Sequence, residues 1–434
     1  MARRTPFPPV FWVANLIEVL ERFSYYGIYF GFGIYMQHLG YSRDQLGIVQ
    51  SIFLFLSYGV PVLSGSLADR YGFKRVLIIS YLAYLPSILL LILTKSFSGI
   101  ALTMLFIGFA AGIFKPLISG TVRLTTDGTN KTLGFGIFYL MVNVGGSLGP
   151  IVAGYLRAIS WNAAFAAAAV AIGVMLVITL LFYKEPPREA SSDTLGKKLR
   201  EIVVVLSDLK FASFLVLLGL FFWLPFWAFF NLCALYVDSN LDTAALYRVL
   251  DSGLGWIPLL GPWLLRVLSH EQDGVRHVLG ESISHTGWMI MLLQLPVSWF
   301  FERRRAMPSF IFGLVVSAVG LAILGRAATG AAALVFLGIL LFAVGEMITS
   351  PRIQEYITWI APKEKAGLYM GSNFLGTMIG GFTSGFIYTS LYGRLGDAGM
   401  PQAVWYVLAV HMLVAALVFW AFVRFAGEFQ EQTA

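Results

Sequence analysis

Cysteine is almost absent from this chain: one residue in 434, Cys233, inside an apolar stretch. A single thiol excludes an intrachain disulfide and a cysteine-rich metal site, so Cys233 reads as a small core residue. Histidine is nearly as scarce, at five residues. His277, Glu281 and His285 recur every four residues, a spacing compatible with a metal-binding helix face. In a solvated loop such a trio is usually incidental, and neither metal nor cofactor is expected. No phosphate-binding P-loop is present, which argues against ATP as a driving force. No nucleophile–base constellation has persuasive spacing, so an enzyme is not expected. Charge is the most informative shortage. Charged residues make up 12% of the chain and hydrophobic ones 58%, where a soluble domain carries about 25% charged residues. With a mean hydropathy of +0.77, the chain reads as a polytopic membrane protein whose main partner is the lipid bilayer.

Twelve apolar stretches of about 20 residues or more are predicted near 10–36, 45–68, 74–94, 98–122, 133–156, 160–183, 211–238, 284–301, 308–326, 331–361, 366–391 and 403–425. The first is too long for a cleavable signal peptide and continues into the bundle. With the N terminus taken as cytoplasmic, nineteen Lys and Arg fall at inner ends, eight at outer ends, and Arg22, Lys115 and Arg352 inside the membrane. That asymmetry predicts both termini inside, in a cell membrane, with a bacterial inner membrane the expected one. The net charge of +7 therefore reflects topology, and nucleic-acid binding is not expected.

The charged stretch 184–210 divides six spans from six. It opens on a Pro-Pro break and continues as a predicted amphipathic helix on the inner surface. The expected organisation is an N-terminal six-helix bundle (1–183), a cytoplasmic linker (184–210) and a C-terminal six-helix bundle (211–434). Weak internal similarity supports two related halves: GSLADRYGFKR at 65–75 follows Pro61, and WFFERRR at 299–305 follows Pro296. Repeated halves around a central site are a common design in secondary transporters. An outer loop at 239–283 carries a Pro-broken apolar segment, Leu254–Leu268, too short to span. It is expected at the membrane interface or over the mouth of the protein.

Charges at bilayer depth are costly and normally face a protein interior or a watery cavity. The first span carries Glu18, Glu21 and Arg22, offset by three and four so that they share one helical face. Tyr25 and Tyr29 extend that stripe. Lys115 lies within the fourth span and Glu346 within the tenth, both far from the predicted surfaces. Bases predominate in the first half and an acid stands in the second. A cavity with walls of opposite sign fits a zwitterion, such as an amino acid or short peptide. A carboxylate in such a place can bind protons, which would couple proton entry to substrate movement.

Residues 65–75 resemble the signature loop of the major facilitator superfamily, with Asp69 and Arg70 as a conformational latch. EVLERFSYYG at 18–27 resembles the signature of the proton-dependent oligopeptide transporter family. GIFKP at 112–116, FYLMVNVG at 138–145, FWAFF at 226–230 and GEMITSP at 345–351, continuing to Ala361 and Pro362, look like the same family. The resemblance implies an all-α, twelve-helix fold in two six-helix bundles and import of di- or tripeptides with protons by alternating access. It implies that Glu18, Glu21 and Arg22, with Glu346, couple protons. It implies that Arg22 and Lys115 hold the substrate carboxylate and Glu346 its amino terminus. Tyr25, Tyr26, Tyr29, Tyr58, Asn143, Trp227, Asn231 and Ser350 would line the pocket, and Arg352 with Glu355 would serve an inner gate. A monomer is expected.

The chain departs from this family in places. Tyr29 stands where members often carry Arg, and Asn231 and Leu232 where many carry an acid and Gln. Those two charges would normally pair to close the outer gate, and both are missing, as if the gate had been replaced. Gly287 stands where an Asn is expected to help bind the amino terminus. These departures permit a divergent member moving another zwitterionic or anionic small molecule (an amino-acid derivative or modified peptide), by import or by export. A membrane receptor that binds without transporting is a further alternative.

Overall fold

A computed structural model describes residues 5–187, 195–301, 304–327, 331–360 and 366–427, without the side chains at 132, 195, 355, 358–360, 366–368 and 370. The twelve expected spans appear as helical segments. They are Pro9–His38, Arg43–Gly59 with Pro61–Tyr71, Phe73–Leu93, Phe97–Leu124, Lys131–Arg157, Trp161–Phe182, the run 209–240, Gly287–Phe301, Ala306–Arg326, Leu334–Ile360, the run 366–397, and Ala403–Ala426. Among the described residues, eight helices are long and apolar enough to cross a membrane by length and composition alone. The second span adds a ninth as a pair bent by 40°. Pro61 explains the bend, because it cannot continue the backbone ladder and opens the following helix instead. The first span carries Glu18, Glu21 and Arg22 and several tyrosines and glycines, and the eighth shows 15 helical residues.

Physical chemistry sets the span ends. Ser42 and Gln45 form a reciprocal capping box at the start of the second span, while Ser96 and Ser160 cap the fourth and sixth. Each side chain satisfies amides that the first helical turn leaves free. The third span has no local cap. Instead, Glu185, beyond the end of the sixth, accepts from the backbone amides of Phe73 at 2.7 Å and Lys74 at 2.9 Å. Gly72, just before this cap, has φ +96°, a conformation that L side chains rarely adopt. That is one physical reason for a glycine in the 65–75 motif.

The expected surface helix is present at Leu195–Leu206; residues 188–194 lie outside the described residues, as do Glu302, Arg303, Ala361 and Pro362. Leu82, Leu93, Leu181, Leu292, Leu295 and Trp299 are each more than 60% exposed. Apolar surface of this extent on transmembrane helices is the lipid-facing side.

The first and fifth spans touch backbone to backbone. A Cβ at Gly145 would lie 2.3 Å from the Val19 carbonyl oxygen, and one at Gly149 would lie 2.3 Å from that of Phe23. Two glycines four apart thus give the fifth span a smooth face against which the charged turn of the first can seat. Close packing also joins the first six spans to the last six: the first to the seventh, the second to the eleventh, and the fifth to the eighth.

The 239–283 segment departs from expectation in detail. The seventh span runs on to Asn240, and helices Thr243–Leu254 and Leu260–Val267 follow. A β-hairpin then pairs Ser269–Gln272 with Val275–Val278, and Gly280–Ile283 forms one helical turn. His277 is on a strand, facing His270 across the hairpin, so His277, Glu281 and His285 share no helix face. Trp256, Leu259, Leu260 and Trp263 are exposed.

Candidate functional site

The site grows from one turn of the first span. Arg22 Nε donates to Glu18 Oε1 at 2.6 Å, and Glu21 Oε2 lies 3.3 Å away. All three residues are buried, which the seating against Gly145 enforces. Tyr84, from the third span, donates to Glu21 Oε1 at 3.3 Å. Glu18 Oε2 and Glu21 Oε2 have no hydrogen-bond partner. The second oxygen of Glu21 thus faces Arg22 as an ion pair alone, while that of Glu18 has neither a hydrogen bond nor an ion pair among the described residues.

Lys115 comes from the Pro116 turn of the fourth span. Its Nζ lies 4.2 Å from the Tyr25 ring centre and 4.7 Å from that of Tyr58. Two ring faces stabilise a cation but supply no acceptor, and among the described residues this buried Nζ has no hydrogen-bond partner. A buried ammonium normally needs one. Tyr58, expected here only from its position in the second span, also packs on Trp227 at 5.1 Å. Tyr26 meets Tyr25 edge-on at 5.0 Å. Trp227 is buried, with its indole N–H unpartnered. Thr286 donates to Glu346 Oε2 at 2.7 Å. Tyr26, Tyr58, Lys115 and Glu346 are half-buried at mid-span.

Other expected residues lie elsewhere. Tyr29 donates to Asn231 across the first and seventh spans, and both are buried. The structure thus engages these two pocket candidates with each other. They meet where the missing ion pair would be, and a neutral hydrogen bond occupies that position. Asn231 also donates to Ser384 at 3.0 Å, and its carbonyl accepts from Gln50 at 3.2 Å. Asn143 donates to the Tyr139 carbonyl of its own helix. Ser350 is half-buried. Asp69 and Arg70 are exposed at the end of the second span, with Arg70 over the Tyr71 ring at 5.2 Å. Arg352 is buried, and the Glu355 side chain lies outside the described residues.

Two features escaped sequence reasoning. Thr286 is adjacent to Gly287, and only the fold shows why the glycine is there: a Cβ at 287 would lie 2.4 Å from Ser147 Oγ of the fifth span. A side chain at 287 would have to displace the Ser147 hydroxyl. The second is Arg157, counted above only as an outer-end charge. It binds Glu281 and Asp238. Glu281 stands in the apolar run VLGESIS at 278–284, a local oddity that would have justified asking for its partner.

A model described as the Major Facilitator Superfamily matches residues 14–280. The quinolone resistance protein NorA of Staphylococcus aureus strain MSSA476 is 23% identical over 227 residues, 51% of this chain and 58% of NorA. NorA of strain Mu50 is 24% identical over 178 residues, 39% and 46%. The chain thus aligns with about half the length of these curated relatives. Among solved structures, a POT family transporter in complex with 5-aminolevulinic acid superposes with a TM-score of 0.73 at 19% identity, covering 95% of each chain. A peptide transporter POT in complex with sulfate gives 0.74 at 18%, covering 98% of this chain and 96% of the other. The nucleoside transporter NupG gives 0.73 at 15%, covering 95% and 99%. These likenesses establish the fold.

Proposed function

This chain belongs to the Major Facilitator Superfamily, and we propose that it is a proton-coupled symporter of small peptides. The observation that carries this reading is the Lys115 ammonium, buried between two tyrosine rings with no acceptor. It matches a substrate carboxylate, which would supply the missing partner as a charge-assisted bond. Glu346, held by Thr286 through one oxygen, has the other for an ammonium. Tyr25, Tyr26, Tyr58 and Trp227 supply aromatic walls and hydroxyl or indole donors between those poles. Protonation of Glu18 or Glu21 would weaken their hold on Arg22 and free it toward the cargo, so proton and peptide would move together. The bundles 1–183 and 211–434 would rock about this site, joined by the 184–210 linker, with both termini cytoplasmic.

Gradient-driven uptake of labelled dialanine into proteoliposomes, wild type against Glu21→Gln, tests this reading. Uptake driven by an inward proton gradient and lost in the variant supports symport. Wild type that exchanges peptide but ignores the gradient refutes the coupling. Folded protein that neither binds nor moves peptides refutes the cargo.

A second reading, export of a different organic ion, draws on the NorA similarity and on Gly287, which removes the expected amino-terminus ligand. Competition by a panel of dipeptides separates the two, because an exporter of unrelated cargo is indifferent to them.

A further inference from the structure

We propose that Arg157, Asp238 and Glu281 form an ion-paired latch that closes the pathway at the end carrying the 241–286 loop, with that loop as its arm. The proposal rests on the alternating-access reading. It adds three residues and a role for the loop that neither the motifs nor the central site assign.

Arg157 is the last residue of the fifth span. Its guanidinium grips Glu281 with two donors: Nε to Oε1, and Nη2 to Oε2 at 2.8 Å. Nη2 also donates to Asp238 Oδ1 at 2.6 Å. The base thus comes from the first six spans, and both acids come from the last six and their loop. Glu281 is 1% exposed. It sits on the helical turn Gly280–Ile283, directly before the eighth span, and the preceding Leu279 amide bonds the Leu268 carbonyl at the base of the hairpin. Gly154, one turn before Arg157, makes room: a Cβ there would lie 3.0 Å from Glu281 Cγ.

The neutral Tyr29–Asn231 bond lies below this cluster. Asp238 is two helical turns beyond Asn231, about 10 Å nearer the loop end. The inter-bundle ion pair missing at the level of Tyr29 and Asn231 is therefore found two turns outward, on different residues.

The physics of such a pair suits a gate. While the interface is dry, Glu281 depends on Arg157, because separating them strands a buried charge. Once the spans part, water enters and hydrates both ions, so the attraction collapses. The contact is strong when closed and weak when open, as a two-state closure requires.

The test uses geometry rather than cargo. Ser239, on the seventh span, donates to Gln37 Oε1 of the first at 2.8 Å, and both are exposed, so Gln37→Cys with Ser239→Cys, in a Cys233→Ser background, are within reach of a short bifunctional thiol reagent only while the latch is shut. Purified protein in nanodiscs is treated with that reagent and the rate of cross-linking read. Adding Arg157→Gln should slow cross-linking at least fivefold, and the charge swap Arg157→Glu with Glu281→Arg should restore it in part. Should Arg157→Gln fail to fold, Asp238→Asn, at a less buried position, gives the same readout with about a twofold slowing. Cross-linking that proceeds at an unchanged rate in these variants overturns the latch. No substrate is involved, so this failure is distinct from a failure of peptide transport.

Discussion

The close approach of Gly287 to the fifth span yields the sharpest prediction. A Cβ at this position would stand 2.4 Å from Ser147 Oγ but 3.6 Å from Ser147 Cβ. Gly287→Ala therefore forces one specific collision, with a hydroxyl that is fully buried and, among the described residues, makes no hydrogen bond. Overpacking by one carbon in a tight interface costs about 1–3 kcal/mol. Here the cost falls on the state in which the fifth and eighth spans touch. The ratio of loop-closed to loop-open protein should drop about 5- to 150-fold. Ser147→Ala removes the offending atom and sacrifices no hydrogen bond, so it should be near neutral alone and should rescue the double variant. Spin labels at exposed Ile159 and Ser252, replaced by Cys in a Cys233→Ser background, report the loop-end distance. The expectation is a longer-distance population in Gly287→Ala that disappears in Ser147→Ala/Gly287→Ala. If single and double variants give the same distances, the collision is not what this glycine avoids, and the account of the missing Asn fails.

Other expectations follow from named contacts. Lys115→Met should weaken binding of free-carboxylate peptides about 10- to 100-fold, since charge-assisted bonds contribute about 1.5–3 kcal/mol. Binding of C-terminally amidated analogues should change little, and equal losses for both in a thermal-shift titration would count against the Lys115–carboxylate contact. Glu185→Ala should cost roughly 1 kcal/mol by uncapping the third span, seen as faster amide exchange at Phe73 and Lys74, while Glu185→Gln should retain part of the protection.

The positions of the spans were legible because hydrophobic length is a property of the chain itself, and the twelve predicted stretches coincide with the helical segments to within three residues, save that the eleventh runs six residues further, to Asp397. The intramembrane charges were legible for the same reason: a charge in an apolar run stands out without knowledge of the fold. The 239–283 loop was legible only as apolar and Pro-broken. Its hairpin depends on pairing between strands, and a four-residue spacing that imitated a helix face misled the reading of His277, Glu281 and His285.

Pairing across the molecule belonged to the tertiary structure alone. The sequence determined that Tyr29 and Asn231 lack the expected charges; the fold decided that they bond to each other. It determined that Gly287 is not Asn; the fold decided that a side chain there would have to displace the Ser147 hydroxyl. Arg157 and Glu281 are 124 residues apart, and nothing local in either segment names the other. Composition and periodicity fix what each helix must bury. Which polar groups meet inside depends on how helices distant in sequence are brought into contact, and that is a property of the assembled bundle.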